Sequence, residues 1–241
     1  MKKLLLLCLF SFYGTIHAQQ LQGSWKLIQL DGEEVTNREV IKIIQDNYFA
    51  LGSKNASNEF LGAAGGEFQY DGKPIIEIRD FDTYKSTNIG KQMEFRLRWQ
   101  SPDVLEIANA NTSKVWERYS DEANDLTRNW VITGRKRDGE MNTMTPGDRR
   151  TIKILSGGRF QWIAFNSATK EFMGTGGGSY TAENGKYTEN IEFFSRDNSR
   201  VGASLQFDYE VKDGEWHHQG ESSKGDPIYE IWSPYEEAYS N

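Results

Sequence analysis

The chain repeats itself once, and that repeat fixes its plan. "FLGAAGGEFQYDGK" (60–73) lies over "FMGTGGGSYTAENGK" (172–186), matching Phe60 to Phe172, Gly62 to Gly174, Gly66 to Gly178 and Phe68 to Tyr180 at a spacing of 112 residues. At the same spacing "GKQMEFRLRW" (90–99) falls on "GASLQFDYEV" (202–211), aligning Gly90 with Gly202 and Phe95 with Phe207. Upstream "LQGSWKL" pairs with "LTRNWVI", and downstream "KVWERY" pairs with "YEIWSPY". Two copies mean two domains, residues 19–120 and 125–235, joined at the polar stretch "SDEAND". Each has about 100 residues, an ordinary size for one domain. A cut between Ser120 and Leu126 is therefore expected to leave two stable fragments.

Each copy reads as strands. In "MEFRLRW" and "LQFDYEV" every second residue is apolar, the period of a sheet with one buried and one wet face. "VIKIIQ-DN-YFALG" and "TIKILS-GG-RFQWIAF" read as hairpins around two-residue turns, and "YDGK", "ENGK" and "VKDGEW" as further turns. The first copy yields strands near 23–30, 39–45, 48–52, 60–70, 74–81, 92–99, 103–109 and 114–119. Eight short strands joined by tight turns predict an up-and-down meander closed on itself. The fold expected is all-β, two tandem eight-stranded antiparallel barrels.

The glycine clusters belong to that architecture. A phosphate-cradling loop needs its glycines between a strand and a helix, whereas strands flank both clusters here. Glycines inside strands mark bulges and bends, so Gly66 and Gly178 are expected to be structural, with Phe68 or Tyr180 covering the bare backbone.

The N-terminus carries an address. "MKK", the apolar run "LLLLCLFSFYG" and the small residue ending "TIHA" form the pattern of a secretory signal peptide over residues 1–18. An exported product, periplasmic, outer-envelope associated or secreted, is expected. Cleavage removes Cys8, the one cysteine, together with Lys2 and Lys3, so the formal charge moves from −7 to −9. An acidic chain without a basic stretch is a poor partner for nucleic acid, and no mature segment is apolar enough to span a bilayer.

With these features in place, "LQGSWKL" resembles the G-x-W signature that opens lipocalins, with Gly23 and Trp25 in the matching positions. Both halves resemble small lipocalin-like domains of secreted and envelope proteins, most typically in "GGGSYTAENGKYTENIEFF". The resemblance implies that Trp25 plugs the closed end of a barrel while Arg118 packs across it, and that the interior holds an apolar molecule. The second copy departs from the pattern. Trp130 lacks the preceding glycine, and Ser233 and Pro234 stand in the arginine region, so its closed end is expected to be built differently.

Catalytic chemistry finds little support. The mature chain has no thiol, and His217 and His218 are neighbours that point to opposite faces of a strand, so no metal site and no cofactor are expected. Glu189 and Glu192 form a close carboxylate pair, one of many in a chain with 35 acidic residues. Glu189 shares a face with Tyr187, Ile191 and Phe193, and is either a buried partner for Arg or Tyr, or a handle inside a pocket. Its counterpart in the first copy is read as Ile76, which leaves the acid to the second copy alone. Trp162, Tyr180, Tyr187, Glu189, Phe207 and Tyr209 are the candidate ligand contacts, combining aromatic walls with sparse polar groups. The matching first-copy residues, Leu51, Phe68, Pro74, Ile76, Phe95 and Leu97, are more aliphatic. The function expected is a non-enzymatic binding protein for a small apolar or amphipathic ligand, held in the second barrel. The alternative is an envelope interaction module with filled barrels.

Overall fold

The alternating pattern closes each copy into its own barrel in the computed structural model, which describes residues 20–222 and 225–239. The proposed leader, residues 1–18, lies outside the described residues. The first copy comprises β1 (Gly23–Leu30), β2 (Glu33–Glu34), β3 (Arg38–Gln45), β4 (Tyr48–Asn55), β5 (Phe60–Gln69), β6 (Ile75–Asp82), β7 (Gln92–Ser101), β8 (Val104–Ala108) and β9 (Ser113–Ser120). The second comprises β10 (Arg128–Arg137), β11 (Glu140–Thr143), β12 (Arg149–Ser156), β13 (Arg159–Asn166), β14 (Glu171–Glu183), β15 (Lys186–Phe194), β16 (Ser204–Lys212), β17 (Glu215–Glu221) and β18 (Pro227–Pro234). A short helix α1 (Tyr235–Tyr239) follows. Neighbouring strands pair antiparallel, β1 closes on β9, and β10 closes on β18. Both copies are closed eight-stranded barrels. The small β2 and β11, which sequence periodicity does not reveal, only extend β1 and β10.

The turns form where the sequence supplies residues that tolerate positive φ. Asp46 and Asn47 adopt φ of 49° and 55° between β3 and β4, the mirror-image turn whose twist suits a hairpin.

Gly66 and Gly178 sit at bulges. Opposite Gly65 and Gly66 the strand β6 skips Asp80, and opposite Gly177 and Gly178 the strand β15 skips Glu192. A side chain at Gly66 would drive into the Ile78 carbonyl, and at Gly178 into that of Asn190. The expected aromatic cover comes from elsewhere. Phe81 lies over Gly65 and Phe193 over Gly177, both from the neighbouring strand rather than from Phe68 or Tyr180. The bulge shortens the path so that backbone meets backbone, which only glycine allows.

Three cores result. One fills the first barrel around Trp25, Phe49, Phe68 and Trp116, and another fills the second around Trp130, Tyr187, Trp216 and Trp232. The third lies between the barrels. Ile41 and Ile43 of β3 join Ile152 and Ile154 of β12, together with Phe81, Ile163 and Phe165. Phe81 stacks near Phe165 and Phe172, at 5.9 and 6.1 Å, and Phe60 on Phe193 at 6.0 Å. This explains the run "VIKII", apolar on both sides of Lys42, since β3 is buried on both faces. Each barrel alone would expose this third core, which bears against the expectation of two independently stable fragments.

Candidate functional site

Each barrel carries an ion pair in its interior. Lys42 Nζ donates to Glu77 Oε1 at 2.5 Å, and Arg79 donates to Glu77 Oε2 at 2.8 Å. In the second barrel Lys153 Nζ donates to Glu189 Oε1 at 2.5 Å, and the Tyr187 hydroxyl donates to the same oxygen at 2.8 Å. Glu77 and Glu189 lie 112 residues apart and occupy the same ladder position, opposite Phe68 and Tyr180 respectively. The reading of Ile76 as the counterpart of Glu189 is therefore wrong by one residue. Ile76 falls on the opposite face of β6, and the buried acid is common to both copies. Of the two roles weighed for Glu189, the structure shows the buried partner.

These charges lie among rings. Lys42 sits 4.5 Å from the Phe49 ring centre, and Lys153 lies 5.1 and 5.2 Å from the rings of Trp232 and Trp216. Burial raises the Glu77 pKa, but the charges of Lys42, Arg79 and Lys114 outweigh it and hold the carboxyl below its ordinary range. Burial, then the Glu189 charge, pushes the Tyr187 hydroxyl well above its ordinary value, so it remains a donor.

The six candidate contacts converge on the interior side of the second barrel. Tyr180, Tyr187, Glu189 and Phe207 are buried, while Trp162 and Tyr209 are half-buried. They meet one another and neighbouring rings. Tyr187 is wholly buried, 5.1 Å from Trp216 and 6.0 Å from Phe207. Tyr180 binds Asn124, and Tyr209 donates to Asp125 at 2.8 Å. Sequence reasoning missed two residues here. His218 stacks on Phe207 at 4.8 Å, and its Nε2 donates to Glu230 at 3.0 Å. Glu230 also accepts from Arg135 and from Trp232 Nε1.

Following the ladders strand by strand shows why the two interiors differ. Leu51 corresponds to Trp162, Ile75 to Tyr187, Leu105 to Trp216 and Ile107 to His218. At these four positions a ring in the second barrel replaces an aliphatic side chain in the first. The first barrel keeps space instead. A cavity of about 350 Å³ opens there, its walls formed by Leu27, Leu51, Ala64, Met93, Phe95 and Trp116 and its rim by Arg38, Arg79, Asp82, Lys85 and Lys114. Of the six residues expected to match the candidates, Leu51 and Phe95 line this cavity. Phe68 and Leu97 join the adjoining core.

The loop after β6 forms one side of the mouth. Asp82 holds it: Oδ1 accepts from the backbone of Tyr84 and Lys85 at 3.0 and 2.8 Å, and Oδ2 from Asn88 at 3.1 Å. The opposite end of the barrel is sealed. Arg118 lies 4.2 Å from the Trp25 ring and donates to the carbonyls of Gln20 and Gln22, while Trp25 Nε1 donates to Leu21 O at 2.9 Å. Trp130 makes the same bond to Leu126 O at 2.9 Å, but its cation is Arg128, from β10 itself, at 5.5 Å. Pro234 stands opposite Trp130 where Arg118 stands opposite Trp25.

Among the described residues no three metal-ligating side chains form a cluster, and no helix is long and apolar enough to cross a membrane. Compared with known proteins, the chain matches no protein-family model and no curated protein sequence.

Proposed function

We propose that this chain is an exported binding protein whose first barrel holds a small amphipathic molecule. The observation that carries the proposal is the 350 Å³ cavity in the first barrel, apolar in its walls and charged at its rim. That volume suits a small ligand, and sparse polar groups at the edge of an apolar wall orient one. The lipocalin-like character of the sequence and its leader agree with this reading. The second barrel, filled by Trp216, His218 and their neighbours, serves as the scaffold against which the first is braced.

The test is fluorescence titration of the protein, produced without residues 1–18, with the neutral apolar probe N-phenyl-1-naphthylamine. Saturable binding is expected. The double substitution Leu51→Trp with Ala64→Gly imports the pair found in the second barrel, Trp162 and Gly176, and should abolish it. Failure of the original protein to bind favours the interaction module with filled barrels. Unchanged binding by the double variant would remove the site from the first barrel.

A further inference from the structure

The cavity sits in an acidic protein, formal charge −7, yet its rim carries Arg38, Arg79, Lys85 and Lys114 against one carboxylate, Asp82. That carboxylate is already committed, with both oxygens accepting bonds from the loop it anchors. The next acid inward, Glu77, is committed as well, Oε1 to Lys42 and Oε2 to Arg79. Lys42, Arg79 and Lys114 all act on this single carboxylate. Buried cations normally sit with matching anions, because charge taken out of water without a partner is costly. Here two buried cations, Lys42 and Arg79, share the one carboxylate of Glu77, and half-buried Lys114 draws on the same acid and on Asp31 and Asp82.

Two donors mark where a counter-group fits. Arg79 Nε and Trp116 Nε1 are buried and have no hydrogen-bond partner in the protein, although Arg79 is only 7% and Trp116 only 2% exposed. Both residues line the cavity. Unsatisfied buried donors are rare in folded proteins. A guanidinium edge and an indole N–H lining one cavity present donors and no acceptor, which suits an oxyanion better than an uncharged alcohol oxygen and disfavours an ammonium. Arg135 Nε and Trp216 Nε1 are likewise without a partner in the second barrel, but there the rings fill the interior and the cavity cations Arg79 and Lys114 are not repeated. The ladder position of Arg79 is taken in the second by Ile191, opposite Gly178, and that of Lys114 by Glu230, which reverses the charge.

We propose that the ligand of the first barrel is an amphipathic anion, with an apolar body along Leu51, Met93 and Phe95 and one carboxylate-type head group received by Arg79 Nε and Trp116 Nε1, with Lys114 supplying charge. The inference rests on the binding reading above. Burial lowers the pKa of Lys114, Glu77 opposing, so the site also gains from an added negative charge.

The experiment is displacement of N-phenyl-1-naphthylamine from the protein by decanoate and by 1-decanol, at pH 7.5 and below micelle-forming concentrations. Decanoate is expected to displace the probe at about tenfold lower concentration than decanol, as charge-assisted bonds require. Arg79→Met and, separately, Trp116→Phe should each reduce that preference while decanol still competes. Trp116→Phe removes the N–H and keeps the ring plane, so it tests the site even if the Arg79 variant fails to fold. Equal displacement by the two compounds, or an undiminished preference in Trp116→Phe and Lys114→Met, overturns the anion site and leaves the apolar cavity standing. Absence of probe binding at the outset overturns both.

Discussion

Ser24 of the first barrel donates its hydroxyl to the carbonyl of Gly157, in the hairpin tip of the second, at 2.7 Å. The reciprocal contact joins Asn129, whose backbone N–H donates to Asp46 Oδ2 at 2.9 Å. Asp46 and Gly157 occupy equivalent tips, and Ser24 and Asn129 equivalent positions in the first strand, so the two copies bond to each other through equivalent positions, although the donor is a hydroxyl in one case and a backbone N–H in the other. Between these polar contacts lies the third apolar core.

The barrels should therefore unfold as one unit. Calorimetry is expected to show a single transition, and residues 125–241 expressed alone should aggregate through exposed Ile152, Ile154 and Phe165. Ile154→Asp, which places a charge in that core, should destabilise the whole protein by more than about 3 kcal/mol. Two separate transitions would show the contact to be weak.

Emptying the sealed end of the first barrel should be costly. Trp25 is almost wholly buried and holds both the Leu21 carbonyl and the Arg118 guanidinium. Trp25→Ala is expected to cost about 3–5 kcal/mol in denaturant unfolding. A loss below about 1 kcal/mol would mean that the seal contributes nothing.

Breaking the interior ion pair from one side should hurt more than replacing it whole. Glu189→Leu strands the Lys153 charge among rings and is expected to cost about 3–5 kcal/mol. Pairing Lys153→Met with Glu189→Leu should restore much of that loss. The double-mutant cycle measures it, and additive losses would argue that the two groups do not depend on each other.

His218 makes stability depend on pH in mildly acidic solution. Burial first, then the charges of Lys153 and Arg135, hold its pKa well below the ordinary 6.5. Above that value the imidazole is neutral in folded and unfolded chains alike, and contributes no slope. Below it the unfolded chain takes up a proton that the folded chain refuses, so stability falls as pH drops. Carboxyls held low in the folded state, buried Glu77 and half-buried Glu192 among them, add their losses only when pH falls further, below the ordinary 4.5 of a glutamate. Melting temperatures between pH 7.5 and 5 should fall for the original protein and less for His218→Gln. Equal slopes would remove His218 as the cause.

Local chemistry alone determined a good deal of this protein. The repeat marked the two units, alternation marked the strands, turn residues marked the hairpins, and the glycines marked the bulges, because each depends on residues close together in the chain. The register of Glu189 was also legible, since Glu77 stands at the repeat spacing, and "VIKII" beside "TIKIL" placed a lysine on an apolar face in both copies. What the chain did not disclose was which residues those charges would meet. Lys42 and Glu77 lie 35 residues apart, and their pairing exists only once β3 and β6 face each other across the closed barrel. The location of the cavity was hidden for the same reason. It depends on the summed volumes of side chains from all eight strands, where Leu51, Ile75, Leu105 and Ile107 leave room that Trp162, Tyr187, Trp216 and His218 take up. Burial of both faces of β3 was hinted at by its apolar run, but the partner, β12 of the other copy, was fixed only by packing one barrel against the other.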